Sequence, residues 1–257
     1  MSPDSAALDV RGVSVRFGGV TALLDVALDA KAGEVTGLIG PNGAGKTTLF
    51  NVISGLQRPD HGSILMGGND ITRKGPHRRA RMGLARTFQR LELFTTLCAA
   101  DNVRVALESF GTGTKADATT VLDRVGVGEH AGETVSSLST GSARLVELAR
   151  ALSINPSVLL LDEPCSGLDE HETEVLGELL TSVAAEGRAV VLVEHDTDLV
   201  LRVCSTVHVL DFGQVIASGT PEEIRQNSLV QQAYLGQMQP KEDSSESAAG
   251  PDTEGAP

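Results

Sequence analysis

The chain has 257 residues, 40% hydrophobic and 21% charged, the balance of a soluble globular protein with room for one large or two small domains. Aromatics are only 3%, with no Trp and one Tyr, and the formal net charge is −13; both argue against nucleic acid as a partner, because it calls for positive surface and stacking rings. Cys98, Cys165 and Cys204 show no metal or disulfide spacing, and Met1 to Val10 lack the basic and apolar regions of a signal peptide. Apolar stretches such as Val158–Leu161 and Ala189–Val193 are far too short to cross a bilayer, so reduced thiols in a cytoplasm, outside the lipid, are expected.

In chain order, Val10–Phe17 and Thr21–Leu28 read as strands joined by a hairpin at Gly18-Gly19. Val35–Ile39 is a compact apolar strand that runs into Gly40-Pro41-Asn42-Gly43-Ala44-Gly45, with a helix expected from Lys46 to near Gly55. Ile64–Met66 and Gly83–Thr87 read as further strands. From about Leu91 to Ser137 helical patterns take over, at Leu97–Ser109 and Ala118–Val125, separated by Gly111-Thr112-Gly113. Alternation then resumes: helix Gly141–Ser153, strand Val158–Leu161, helix Glu170–Ala185, strand Ala189–Val193, helix Thr197–Val203. Strands Val207–Leu210 and Gln214–Ala217 and a small helix near Ser228–Leu235 close the ordered part. Such alternation means a parallel α/β sheet covered by helices, here with an antiparallel β portion before it and a helical segment inserted. The tail beyond Gln239 carries Glu242, Asp243, Glu246, Asp252 and Glu254 against Lys241 alone and has no apolar period, so disorder is expected over 239–257.

Gly40 to Thr47 matches the phosphate-loop pattern G-x-x-x-x-G-K-[ST], after a strand and at the start of a helix as that pattern requires. Its glycines let backbone N–H groups of residues 40–48, from Gly40 through Thr48, curl around phosphate oxygens, and the helix N-terminus adds a favourable field. Lys46 is expected to reach the β- and γ-phosphates of ATP, and Thr47 to hold Mg²⁺. The apolar strand Val158–Leu161 ends in Asp162-Glu163. Its position puts Asp162 at the carboxyl edge of the sheet, able to hold the Mg²⁺ shell, and Glu163 one residue further, able to orient a water towards the γ-phosphate. Read alone, the acidic pair could equally begin a turn before Pro164.

Leu138-Ser139-Thr140-Gly141-Ser142 opens a helix, and in isolation Ser139 is an ordinary N-cap. Its companions change the reading: Gln89 before it, then Asp162-Glu163, Ser166-Gly167-Leu168-Asp169, and His195 after a strand. This order resembles that of the ABC ATPases, with Q-loop, signature, Walker B, D-loop and switch histidine in turn. The resemblance implies a P-loop NTPase fold of the ABC type over about residues 6–238, with a helical subdomain near 91–150, and an ATPase that works with ATP and Mg²⁺. It implies that Ser139, Thr140, Gly141 and Ser142 face ATP held by a second ABC ATPase, of the same or a different kind. Gln89 would then reach Mg²⁺ and the attacking water, His195 the γ-phosphate, and Phe17 the adenine; the alternative for Phe17 is a core ring. Ser142 stands where the family usually has Gln, and Thr140 is atypical.

Ala85-Arg86-Thr87-Phe88-Gln89 through Phe94, Asp101-Asn102-Val103, Gly213 to Glu223 and Ala233 to Gly236 are similar to the ATP-binding subunits of branched-chain amino acid importers. That similarity implies multi-span membrane subunits on other chains, an extracytoplasmic solute-binding protein, and a peripheral position on the cytoplasmic face of the membrane. Lipopolysaccharide-export ATPases share several of these traits, and a non-transport ABC ATPase such as one of iron–sulfur assembly is the other class. Arg73, Lys74, Arg78, Arg79, Arg81 and Arg86 read as an exposed basic helix face, or as a surface turned to a partner docking near Gln89. Glu170-His171-Glu172 with Glu174 reads as a solvated face rather than a metal site, and Cys165 as a small packing residue.

Overall fold

A computed structural model of the chain describes residues 6–111 and 113–233; Thr112, Tyr234–Gly236 and the tail expected over 239–257 lie outside them. Ala6–Phe17 (β1) and Val20–Lys31 (β2) pair antiparallel, setting Val10 against Leu28, Val13 against Val26 and Val15 against Leu23, all buried. The turn between them is made at Gly18, whose φ of 57° is a left-handed conformation that glycine adopts without strain. Val35–Ile39 (β3) is buried throughout and leads through the phosphate loop into Lys46–Ser54 (α1). His61–Met66 (β4) and Asn69–Asp70 (β5) complete a four-stranded antiparallel sheet ordered β2-β1-β4-β5.

Pro76–Arg81 (α2) precedes Leu84–Arg86 (β6), and Ala99–Phe110 (α3) and Lys115–Arg124 (α4) follow. Thr140–Ser153 (α5) packs on both α3 and α4, and Ala100, Val103, Leu122 and Val146 join the core there. Then come Val158–Asp162 (β7), Glu170–Ala185 (α6), Ala189–Val193 (β8), Thr197–Val203 (α7), Thr206–Asp211 (β9) and Gln214–Gly219 (β10). Pro221–Gln226 (α8) and Ser228–Ala233 (α9) end the described chain. The helices α2 and α8 go beyond the elements expected from the pattern. Each has six residues and opens on proline, too short for a helical period to register but well started by a fixed φ.

The second sheet is ordered β10-β9-β3-β8-β7-β6; its strands are parallel except β10, which returns antiparallel along β9. Both faces of its centre are covered. Leu159, Leu161, Val190 and Leu192 pack towards the helices, while Leu160, Val191 and Val193 pack with Leu49 and Ile53 of α1 and the antiparallel sheet. This is why β7 and β8 are continuous apolar runs rather than alternating ones. The carboxyl ends of β3 and β7 lie on one edge of this sheet, and from that edge the phosphate loop and the Asp162-Glu163 pair project. No described helix is long and apolar enough to cross a membrane.

Candidate nucleotide-binding and hydrolysis site

The phosphate loop is closed from behind by backbone. At Gly40, φ is 154° and an added Cβ would lie 2.0 Å from the carbonyl oxygen of Leu210; at Gly45, φ is 110° and a Cβ would lie 2.8 Å from that of Ala22. Glycine is required at both by space as well as by conformation. Lys46 is buried, and its Nζ donates to the carbonyls of Gly40 at 2.6 Å and Pro41 at 3.1 Å. Burial pulls its pKa down, while Glu163 and Asp162 oppose that fall. Residues 42–48 line an open cleft of 280 Å³ together with Gln89 and Glu163, so the structure brings the loop, Gln89 and the second acid of the pair together.

Glu163 sits just past β7 with φ of 52°, a left-handed conformation uncommon for a side-chain-bearing residue. Its N–H donates to Val193 O at 2.9 Å, tying it to the end of β8. His195 Nε2 lies 2.8 Å from Glu163 Oε1, and Gln89 Nε2 reaches both carboxylate oxygens at 3.4 Å. Two residues far apart in the chain, Gln89 and His195, therefore converge on the Glu163 carboxylate at the mouth of the phosphate loop. Asp162 is buried below them; its N–H donates to Thr87 Oγ1 at 3.2 Å and its Oδ2 pairs with Arg86 Nη2 at 3.1 Å. Burial raises the Asp162 pKa and Arg86 counters it.

The signature residues lie elsewhere. None of residues 139–142 lines the cleft, and Ser139 and Thr140 are exposed. Ser139 caps α5, accepting from Ser142 N at 3.0 Å, and its hydroxyl donates to Ser142 Oγ at 2.9 Å. Gly141 is packed so closely that a Cβ would stand 3.0 Å from Gly167 O, joining the signature to the loop before α6. Asp169 forms a capping box with Glu172, each accepting from the other's N–H at 2.8 Å. Phe17 is 51% exposed, which rules out the core-ring alternative. His171 and Glu174 are exposed, and no group of three or more His, Cys, Asp or Glu side chains placed to hold a metal ion occurs among the described residues.

The basic run corrects the expectation of a single exposed face. Arg73, Arg78 and Arg81 are exposed, but Arg79 is 1% exposed and the Arg86 side chain 5%. Other site residues were not legible from the motifs. Arg144, on α5, donates from Nη1 to Phe88 O at 2.6 Å and from Nη2 to Gln89 O, and pairs with buried Glu147 at 3.3 Å. The signature helix thus holds the backbone of the Q-loop. Glu194, also buried, accepts from Cys165 N at 2.7 Å through Oε1 and from His195 N at 3.1 Å through Oε2, bracing the loop after Glu163 against the switch loop.

A parallel sheet carrying a phosphate loop, an acidic pair on the same carboxyl edge and a histidine returning to the second acid defines a P-loop ATPase of the ATP-binding cassette class. The pattern of the ABC transporter family matches residues 23–166, and that of the branched-chain amino acid ATP-binding cassette transporters matches residues 214–238. The chain is 37% identical over 249 residues to the high-affinity branched-chain amino acid transport ATP-binding protein LivG of Escherichia coli (strain K12), covering 90% of this chain and 98% of LivG. It is 38% identical over 215 residues to the lipopolysaccharide export system ATP-binding protein LptB of Acidithiobacillus ferridurans, covering 82% and 89%. Its fold matches the dimeric structure of a post-hydrolysis state of an ATP-binding cassette bound to ADP and Pi, with a TM-score of 0.76 and 26% identity over 83% of this chain and 98% of the other. The chain belongs to the ABC transporter family and is an ATP-binding, ATP-hydrolysing subunit of such a transporter.

Proposed function

We propose that this chain is the motor of an importer for branched-chain amino acids or a similar small polar solute, acting at the cytoplasmic face of the membrane. The match of residues 214–238 to the branched-chain cassettes supports this cargo over lipopolysaccharide. Its partners are a second ABC ATPase, of the same or a different kind, multi-span membrane subunits and an extracytoplasmic solute-binding protein. Ser139 and Gly141 lie away from this chain's own phosphate loop, so they serve ATP held by the second ATPase.

The convergence of His195 and Gln89 on Glu163 carries the hydrolytic assignment. ATP lies along the phosphate loop with its phosphates on the N-terminus of α1 and on Lys46, and Phe17 takes the adenine. Glu163 accepts a proton from water as the water oxygen attacks the γ-phosphorus, and the bond to the β–γ bridging oxygen breaks to leave ADP and phosphate. His195 orients the Glu163 carboxylate and donates towards the γ-phosphate. The hydroxyl of Thr47, the side-chain oxygen of Gln89 and the carboxylate of Asp162 are hard oxygen donors of the kind Mg²⁺ prefers, and Asp162 Oδ1 has no hydrogen-bond partner among the described residues. Bound there, Mg²⁺ would neutralise charge on the β- and γ-phosphates.

The test is a pair of variants. Glu163→Gln is expected to bind ATP normally and lose about 100-fold or more in turnover, whereas Lys46→Ala weakens binding itself. Near-normal turnover by Glu163→Gln in the assembled transporter rejects the assignment. Uptake of labelled leucine by vesicles holding the co-purified membrane subunits tests the cargo, and ATP turnover with no uptake of any branched-chain amino acid rejects it.

A further inference from the structure

Arg86 closes β6, and its guanidinium is fixed from four directions. Nη2 pairs with Asp162 Oδ2 at 3.1 Å; Nη1 donates to Asn51 Oδ1 at 2.7 Å and Ser54 Oγ at 3.1 Å; Nε donates to Thr87 O at 3.2 Å. The rings of Phe88 and Phe50 lie 4.8 Å and 5.5 Å from its Cζ. A planar fork bonded along its edge and flanked by two rings is held in one orientation by all of these contacts together. The consequence falls on Asp162, whose Oδ2 is held while Oδ1 keeps no partner among the described residues.

We propose that Arg86 is a positioning residue that sets the Asp162 carboxylate for the metal of the metal–ATP complex, with its own placement taken from the phosphate-loop helix through Asn51 and Ser54. This rests on the reading that Asp162 belongs to the metal's shell. Asn51 and Ser54 stand on α1, the same rigid helix whose first residues are Lys46 and Thr47. The acid on β7 and the phosphate-binding groups on α1 are therefore referred to one frame, so the metal's protein oxygens keep their separation. The competing explanation is that Arg86 only neutralises a buried carboxylate. A lysine would serve that purpose equally well, but one ammonium cannot reach Asp162, Asn51 and Ser54 together.

The experiment measures binding of a fluorescent, non-hydrolysable ATP analogue to the full-length chain, once with excess Mg²⁺ and once with EDTA. The quantity read is the gain in affinity that Mg²⁺ confers. Arg86→Lys is expected to lose about tenfold or more of that gain and Asn51→Ala several-fold, with metal-free affinity held within about twofold, the pattern of residues that orient metal ligands. Asp162→Asn is the reference and should lose the gain. If Asp162→Asn loses it while Arg86→Lys and Asn51→Ala both keep it, the positioning role is overturned and the metal reading stands. If Asp162→Asn keeps it, the metal reading fails and this inference falls with it. Should Arg86→Lys not fold, Asn51→Ala decides alone, and an undiminished gain there overturns the link to α1.

Discussion

Replacing Arg79 by methionine separates two readings of the same residue. On a solvated helix face its loss costs at most about 0.5 kcal/mol. In the structure its guanidinium donates to four carbonyls: Val52 and Ile53 at 2.6 Å, Lys74 at 2.8 Å and Thr72 at 2.9 Å. Val52 and Ile53 belong to the last turn of α1, where carbonyls lack in-helix donors and a cation is favoured by the helix dipole. Val52 O keeps the Gly55 N–H at 3.2 Å, so methionine strands the carbonyls of Ile53, Thr72 and Lys74. At about 1–3 kcal/mol per buried unsatisfied group, less the relief of not burying a charge, the net loss is about 3–5 kcal/mol. That is about a fifth or more of the roughly 5–15 kcal/mol that holds a domain folded. Equilibrium urea unfolding followed by circular dichroism measures it, with ATP binding checked below the transition. A loss under about 1 kcal/mol refutes the hub and restores the surface reading.

Arg144→Met frees the Phe88 and Gln89 carbonyls from the signature helix, so turnover should fall about tenfold or more while the affinity for ATP stays within about twofold; unchanged turnover would show that Gln89 needs no such support. Burial pushes the Glu194 carboxyl above the ordinary glutamate range, so it binds its proton more tightly folded than unfolded, and its contribution to stability declines as pH rises through that raised range. Glu194→Gln abolishes the decline but loses the acceptor for His195 N, so thermal midpoints from pH 5 to 8 should show the variant gaining on the parent as pH rises; a constant difference refutes the argument.

Boundaries set by local chemistry were legible in the sequence. Val35–Ile39 and Glu170–Ala185 begin and end where the run meets glycine or acid, Ala189–Val193 ends and Thr197–Val203 begins beside one, and the helix after the phosphate loop starts at Lys46 and stops before Gly55. Gly55 shows how much such a residue can conceal. Its φ is 84°, as a helix end demands, but a Cβ there would also stand 2.8 Å from Arg79 Nε. The motif residues Lys46, Gln89, Glu163 and His195 were identifiable because their order along the chain is itself the pattern. Arg79, Arg86, Arg144, Glu147 and Glu194 were not, since a charged residue seen without its partners looks like surface. The partners of Arg86 lie 35 and 76 residues away, at Asn51 and Asp162, and nothing local announces them. Ser142 is a milder case: its bond to Ser139 exists only once the first turn of α5 has formed.

The central strand of the parallel sheet has late neighbours. β3 is complete by residue 39, but it pairs with β8 and β9, which begin at residues 189 and 206. The phosphate loop that follows β3 leans on Leu210, and Gly213 N donates to Ala44 O at 2.9 Å while Gly213 O accepts from Leu24 N at 2.8 Å. A chain growing from its N-terminus therefore makes the nucleotide-binding motif early and cannot brace it until some 170 further residues have left the ribosome, at about 5–20 residues per second. Until β8 has been made the strand is flanked on neither side, and its apolar residues are open to other chains. Competence to bind ATP thus arrives with the C-terminal hairpin, and it reports that nearly the whole cassette has been made.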